Sequence, residues 1–293
     1  MSDTEHNLAV TERSARATDA ACEPRPAARA PVPEGRVGQQ PLLSVRDVSQ
    51  TLADTHVLDS VSFDVFPGEI FGIMGMSGSG KTTLLRLLIG LERPTSGRIF
   101  FKTEDITELE EDDLNEVRKS MGMCFQYSAL FDSMTVAQNL AFTMRNRRDV
   151  PREQIEARVR ELLDVVEMEG TENRMPSDLS GGMKKRVGIA RALMEQPELV
   201  FYDEPSSGLD PVMACNITGL IKKVSDDLGS TAIIVSHDVE HLLSIADRVL
   251  MLHDRRVQVI GTPDELRQCE IPIVHRFVHG VEAGPGTEFC PAR

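Results

Sequence analysis

The eight residues Gly75-Met76-Ser77-Gly78-Ser79-Gly80-Lys81-Thr82 constrain this chain more than any other feature. They fit the pattern G-x-x-x-x-G-K-[ST], and they follow an almost wholly apolar run, Ile70–Met74, and precede the apolar-rich "TTLLRLLIGL". Strand, glycine loop and helix is the order that gives this pattern meaning. The glycines let the backbone curl until several N–H groups point inward at phosphate oxygens. The first helical turn, with Thr82 and Thr83, adds its partial positive charge. Lys81 then reaches the β and γ phosphates, and the Thr82 hydroxyl is placed to ligate Mg²⁺. A chance match anywhere in a chain of this length has a probability of about 1%. The expectation is a nucleotide-binding α/β domain.

Two further apolar runs, Leu199–Tyr202 and Ala232–Val235, have the same character as Ile70–Met74. Runs like these suit strands buried on both faces of a parallel sheet under helices. Ligands of such sheets lie at the carboxyl ends of the strands. The second run delivers Asp203 and Glu204 to that edge. Asp203 is expected to hold Mg²⁺, and Glu204 to orient and deprotonate an attacking water. Pro205 biases Glu204 away from helical geometry. The third run ends at His237. A lone histidine is more often structural, but three strand runs ending in Lys81, in Asp203-Glu204 and in His237 at one edge favour a role beside the γ-phosphate.

The remaining organisation follows from composition and turn signals. Residues 1 to about 40 are rich in Ala, Pro, Arg and Glu with few large apolar side chains, and read as a disordered tail. "LLSVRDVSQTL" and "VLDSVSFDVF" read as strands, with a turn at Pro67–Glu69. A largely helical region spans about 104–195, its acidic stretch "EDITELEEDDLNE" being a solvated helix face. "VLMLHDRRVQVIG" reads as a hairpin, and Thr262 with Glu265 as a capping box. The ATPase core thus runs over 41–265, and 266–293 forms a short extension.

Composition limits the partners. Hydrophobic residues make up 41% of the 293, ample for a sizeable core. A net charge of -14 lacks the positive field that gathers nucleic acid. The five cysteines form no CxxC pair, which argues against zinc or a disulfide framework. No apolar run approaches the ~18 residues of a transmembrane helix, so a membrane role requires another subunit.

"LSGGMKKRVGIARAL" is a second glycine turn, Ser180-Gly181-Gly182, opening a basic helix. As a helix N-terminus it can take an anion, and as an ordinary N-cap it need not. Here residues 42 to about 265 resemble the nucleotide-binding domain of ABC transporters. "LSGGM" is similar to the family signature LSGGQ, Phe125-Gln126 to the Q-loop, Ser207–Asp210 to the D-loop, and His237 to the switch histidine. The resemblance implies an α/β P-loop NTPase fold of ABC type. Its mostly parallel core sheet carries an antiparallel β subdomain and an inserted helical subdomain. It implies ATP hydrolysis with Mg²⁺, with Gln126 sensing the metal and meeting a permease. It also implies a head-to-tail homodimer, in which Ser180, Gly181, Gly182 and Asp210 complete the partner's ATP site. Leu52 stands where the family usually has an aromatic residue, which implies weaker stacking on adenine.

"FQYSALFDSMTVAQNLAF", "VVEMEGTENRMPSDLSGG" and the tail "IPIVHRFVHGVEAGPGTEFCP" resemble the Mla/Mce-type phospholipid-trafficking ATPases. That implies a peripheral subunit at the cytoplasmic face of the inner membrane, with permease and lipid-binding partners. It also implies that "IPIVHRFVHG" reaches the partner ATPase. Import of an amino acid or other small polar solute is the alternative. A non-transport ABC ATPase acting on DNA or ribosomes fits less well, since those fuse two such domains or insert a long coiled coil.

Overall fold

The computed structural model describes residues 36, 38–145, 147 and 149–280. Most of the N-terminal tail and the end of the C-terminal extension lie outside them. Two sheets organise the rest. Strands β1 (Leu43–Leu52), β2 (Thr55–Val65), β4 (Ser96–Phe101) and β5 (Glu104–Asp105) form an antiparallel sheet in the order β2-β1-β4-β5. Strands β3 (Ile70–Met74), β6 (Met121–Cys124), β7 (Leu199–Asp203), β8 (Thr231–Ser236), β9 (Arg248–His253) and β10 (Arg256–Gly261) form the core sheet, in the order β10-β9-β3-β8-β7-β6. All its pairings are parallel except β9 with β10.

The three runs singled out above are β3, β7 and β8, adjacent in the order β3-β8-β7. Alternate side chains enter two separate cores. Val200, Tyr202, Ala232, Ile234, Val249 and Met251 join one. Leu199, Phe201, Ile233, Val235, Leu250 and Leu252 join the other. Burial on both faces leaves no polar position, which is why these strands read as continuous apolar runs. Each fully buried Leu, Ile or Phe contributes about 1.5–3 kcal/mol of hydrophobic stabilisation.

The helices are α1 (Lys81–Leu88), α2 (Glu111–Arg118), α3 (Val136–Ala141), α4 (Arg152–Val165), α5 (Gly181–Ala192), α6 (Pro211–Leu228), α7 (Val239–Ile245), α8 (Pro263–Arg267) and α9 (Pro272–His279). The expected helical stretch 104–195 contains α2 to α5 but also β5 and β6, which apolar periodicity does not reveal. The capping box at Thr262 and Glu265 is present at α8, which crosses the expected boundary at 265. Helix α9 buries Val274 and packs Ile273, Phe277 and Val278 against the first core. Cys124, Cys215 and Cys269 are free thiols. No described helix is long and apolar enough to cross a membrane.

Candidate active site

Four parallel strands end at one edge of the core sheet, and each hands the chain to a different part of the site. Register aligns Met74 with Ser236, Val235 with Asp203, and Tyr202 with Cys124. The loop from Gly75, then His237, Asp203-Glu204 and Phe125-Gln126, therefore emerge side by side. A cleft of about 490 Å³ lies between them, lined by Ser77, Gly78, Gly80, Lys81, Thr82, Thr83, Gln126, Glu204 and His237, with Val57 at its rim. Met76 belongs to the loop through its carbonyl, which accepts from Lys81 Nζ at 3.0 Å.

The glycines of this loop have local causes. Gly75 has φ +158°, and a Cβ there would sit 2.2 Å from the Leu252 carbonyl oxygen. Gly80 caps α1 in the left-handed region at φ +100°, where an L side chain is strained. Lys81 Nζ also donates to the Gly75 carbonyl at 2.8 Å. Burial pulls the Lys81 ammonium below the usual lysine range, against the pull of Glu204 and Asp203.

Asp203 is half-buried, and its Oδ1 is fully buried without a hydrogen-bond partner among the described residues. Burial, then the Glu204 charge, raises its carboxyl above the usual range, while Arg86, Lys81 and Lys185 pull it down. A buried, unsatisfied carboxylate oxygen at the strand end beside the cleft suits a hard cation such as Mg²⁺. The arrangement implies a trade of stability for function. Asp203→Asn is expected to stabilise the nucleotide-free, metal-free chain near neutral pH by roughly 0.5–2 kcal/mol, the usual gain on relieving a strained functional site. A raised folded pKa places the burial penalty at high pH, so the advantage shrinks as pH falls through that pKa. Thermal melts of both chains along a pH series check this. An asparagine chain no more stable than the native one at pH 7.5 contradicts it.

Glu204 lies in the left-handed region at φ +47°, so Pro205 keeps it out of right-handed helix without leaving it extended. Its N–H continues the sheet to Val235 O at 2.9 Å, and its Oε2 meets His237 Nδ1 at 2.7 Å. With the proton on Nδ1, His237 donates to the carboxylate. Gln126 Nε2 donates to Ser207 Oγ at 3.3 Å.

A family model described as ABC transporter matches residues 58–207. The phospholipid transport ATP-binding protein MlaF of Haemophilus influenzae is 41% identical over 254 residues, 87% of this chain and 96% of that protein. The chain belongs to the ABC transporter family. It is the ATP-binding, ATP-hydrolysing subunit of such a transporter. The methionine import ATP-binding protein MetN 2 of Rhodococcus jostii is 40% identical, covering 81% of this chain and 71% of that protein. Among solved structures, a dimeric ATP-binding cassette in a post-hydrolysis state with ADP and Pi superposes with a TM-score of 0.68. It is 30% identical, covering 75% of this chain and 98% of that one.

In this ABC subunit the Ser180-Gly181-Gly182 turn stands apart from the cleft at the Gly75–Thr82 loop of the same chain. Ser180 caps α5, its hydroxyl accepting from Met183 N at 3.3 Å, and Ser180 and Gly181 are exposed. Asp210 caps α6 by accepting from Val212 N and Met213 N, both at 3.0 Å. Neither turn lines the cleft. Leu52 ends β1 and is 42% exposed. Lys185 escaped sequence reasoning, as did Val57 at the rim and Arg86 beside Asp203. Lys185 Nζ donates to the backbone carbonyls of Gln126 and Glu204.

Proposed function

We propose that this ABC ATPase drives phospholipid transfer between membranes through a separate permease, from the cytoplasmic face of the inner membrane. The observation that carries the reading is 41% identity running along 96% of MlaF. "LSGGM" and "FQYSALF" point the same way. Import of a small polar solute stays as the second reading because MetN 2 is 40% identical.

In the proposed mechanism the loop Gly75–Thr82 wraps the phosphates with backbone N–H groups, and Lys81 turns from its loop carbonyls to the β and γ oxygens. Thr82, Asp203 and Gln126 would hold Mg²⁺, which would neutralise phosphate charge when bound. Glu204 orients a water for in-line attack and takes its proton. His237 fixes the Glu204 carboxylate through Nδ1–H, and donating to the γ-phosphate as well requires a proton on its other ring nitrogen. Ser180, Gly181, Gly182 and Asp210 act on the nucleotide of a second copy. Beside Gln126 a mainly apolar groove of about 470 Å³ is lined by Met121, Met123, Phe125, Ala129, Phe131 and Phe142, together with the charged Arg118, Arg191 and Glu195. Phe125 and Phe131 are each 41% exposed and Tyr127 is 85% exposed. An apolar face of the permease fits this groove, which joins permease movement to Gln126. Helix α9, whose apolar side packs on its own chain's core, is the segment proposed to reach the partner ATPase.

The test is purification of the full chain with its membrane subunit, followed by ATPase assays in detergent. Phospholipid is expected to raise turnover and to be retained on the complex by mass spectrometry. Stimulation by methionine with no response to lipid overturns the lipid reading and favours the importer.

A further inference from the structure

Gln126 and Glu204 come from different strands, and something must set the distance between them. Helix α5 supplies it along one stripe, Lys185, Gly188 and Arg191, spaced so as to share a helix face. Lys185 is only 6% exposed. Its Nζ donates to the Gln126 carbonyl, and to the Glu204 carbonyl at 3.2 Å. Gly188 lets the next loop approach, since a Cβ there would lie 3.2 Å from Ser128 Cβ. Arg191 donates to the carbonyls of Ser128 at 2.7 Å and Ala129 at 2.6 Å.

Three of the four clamped residues have backbones that need clamping. Ser128 at φ 59°, Ala129 at φ 44° and Glu204 at φ 47° all sit in the left-handed region without being glycine. Such conformations persist only where the surroundings over-determine them. Around Glu204 the determination is a closed circuit. Its carbonyl accepts from Lys185 Nζ and from Ser207 N at 3.1 Å, Ser207 Oγ accepts from the Gln126 side chain at 3.3 Å, and the Gln126 carbonyl returns to Lys185. An ammonium carries three donors and no acceptor, so a single group can tie carbonyls of two separate segments.

We propose that Lys185 is a positioning residue for hydrolysis, its buried ammonium joining the Gln126 and Glu204 carbonyls so that the two side chains keep a fixed spacing in the cleft. The proposal rests on Glu204 being the base. It requires that loss of the donors slows chemistry while ATP binding, made by the loop at Gly75–Thr82, is kept.

Lys185→Met keeps the stem and removes the donors, and Lys185→Arg keeps both charge and donors. In the full chain assembled with its membrane subunit, Lys185→Met is expected to lower kcat about 10²-fold, the cost of misplacing a reacting group by an ångström or so. KM for MgATP and the affinity for ATP are expected to change by less than about threefold, the pattern of an interaction felt only in the transition state. Lys185→Arg restores most of the turnover. Should Lys185→Met fail to fold by thermal melt, Lys185→Gln, which retains an amide donor, is measured in its place and gives intermediate turnover. Three results overturn the proposal: turnover within about twofold of native in the donor-less variant, equal losses in kcat and ATP affinity, or an arginine variant as slow as the methionine one. Normal turnover in Glu204→Gln would instead remove the base assignment on which it rests. Normal Lys185→Met beside an inactive Glu204→Gln removes Lys185 alone.

Discussion

Glu204→Gln is expected to reduce ATP hydrolysis by the assembled transporter about 10²–10⁴-fold, the range that positioned general bases contribute. ATP affinity should stay close to native, because in the proposed mechanism the binding groups come from the loop Gly75–Thr82. The substitution is nearly isosteric and keeps an acceptor for the His237 Nδ1–H, which contacts Glu204 Oε2 at 2.7 Å in the native chain. It removes only the basicity that takes a proton from water. With binding intact and chemistry stopped, ATP should accumulate at the site and hold two chains together. Size-exclusion chromatography with ATP is expected to show a long-lived dimer for Glu204→Gln and a transient one for the native chain. Near-normal turnover in a steady-state assay would sink the assignment of Glu204. A dead enzyme that has also lost ATP affinity would mean that the carboxylate works in binding.

The parts of this site that could be read from the residues are those whose strands are buried on both faces. β3, β7 and β8 are short, each built on a wholly apolar run and followed by or ending in chemistry-bearing residues, so the sheet edge they share was visible as a pattern. β6 was not. Its four residues, Met121-Gly122-Met123-Cys124, contain no β-branched or aromatic side chain, and they lie directly after an acidic helix. Gln126, which β6 delivers, was found through family resemblance and not through periodicity. Lys185 was hidden for a different reason. It sits in a basic helix where lysine is unremarkable, and its partners are 59 and 19 residues away in sequence. No local spacing encodes such contacts. Glu204 shows an intermediate case: the Asp-Glu-Pro string marks a functional turn, but the left-handed backbone comes from the tertiary contacts around its carbonyl. The apolar residues of 271–278 could be seen as a docking segment, and their spacing places Ile273, Val274 and Phe277 on one side of α9 against the core.

Mixing Lys81→Ala chains with Ser180→Arg chains is expected to restore hydrolysis that neither shows alone. One chain contributes one phosphate cleft and one signature turn, and the two do not meet within it. The exposed N-terminus of α5 offers backbone N–H groups that an anion can use. Phosphoryl transfer gains about 10³–10⁵ in rate from a charge-stabilising group supplied in trans, so each lesion alone should be nearly silent. In a mixed pair both lesions fall in the same composite site. The other site then combines an intact Lys81 loop with an intact Ser180 turn. Random pairing makes half the dimers mixed, so if one site suffices, activity should approach roughly a quarter of native in a two-fold symmetric assembly. A direct readout comes from Ser180→Cys combined with Ser77→Cys, in a chain whose five native cysteines have been replaced. With ATP present and Glu204→Gln holding the dimer closed, oxidation is expected to give a species of twice the chain mass. Crosslinks confined to single chains, together with no recovery in the mixture, would place the Ser180 turn outside the partner's site and leave it as the cap of α5.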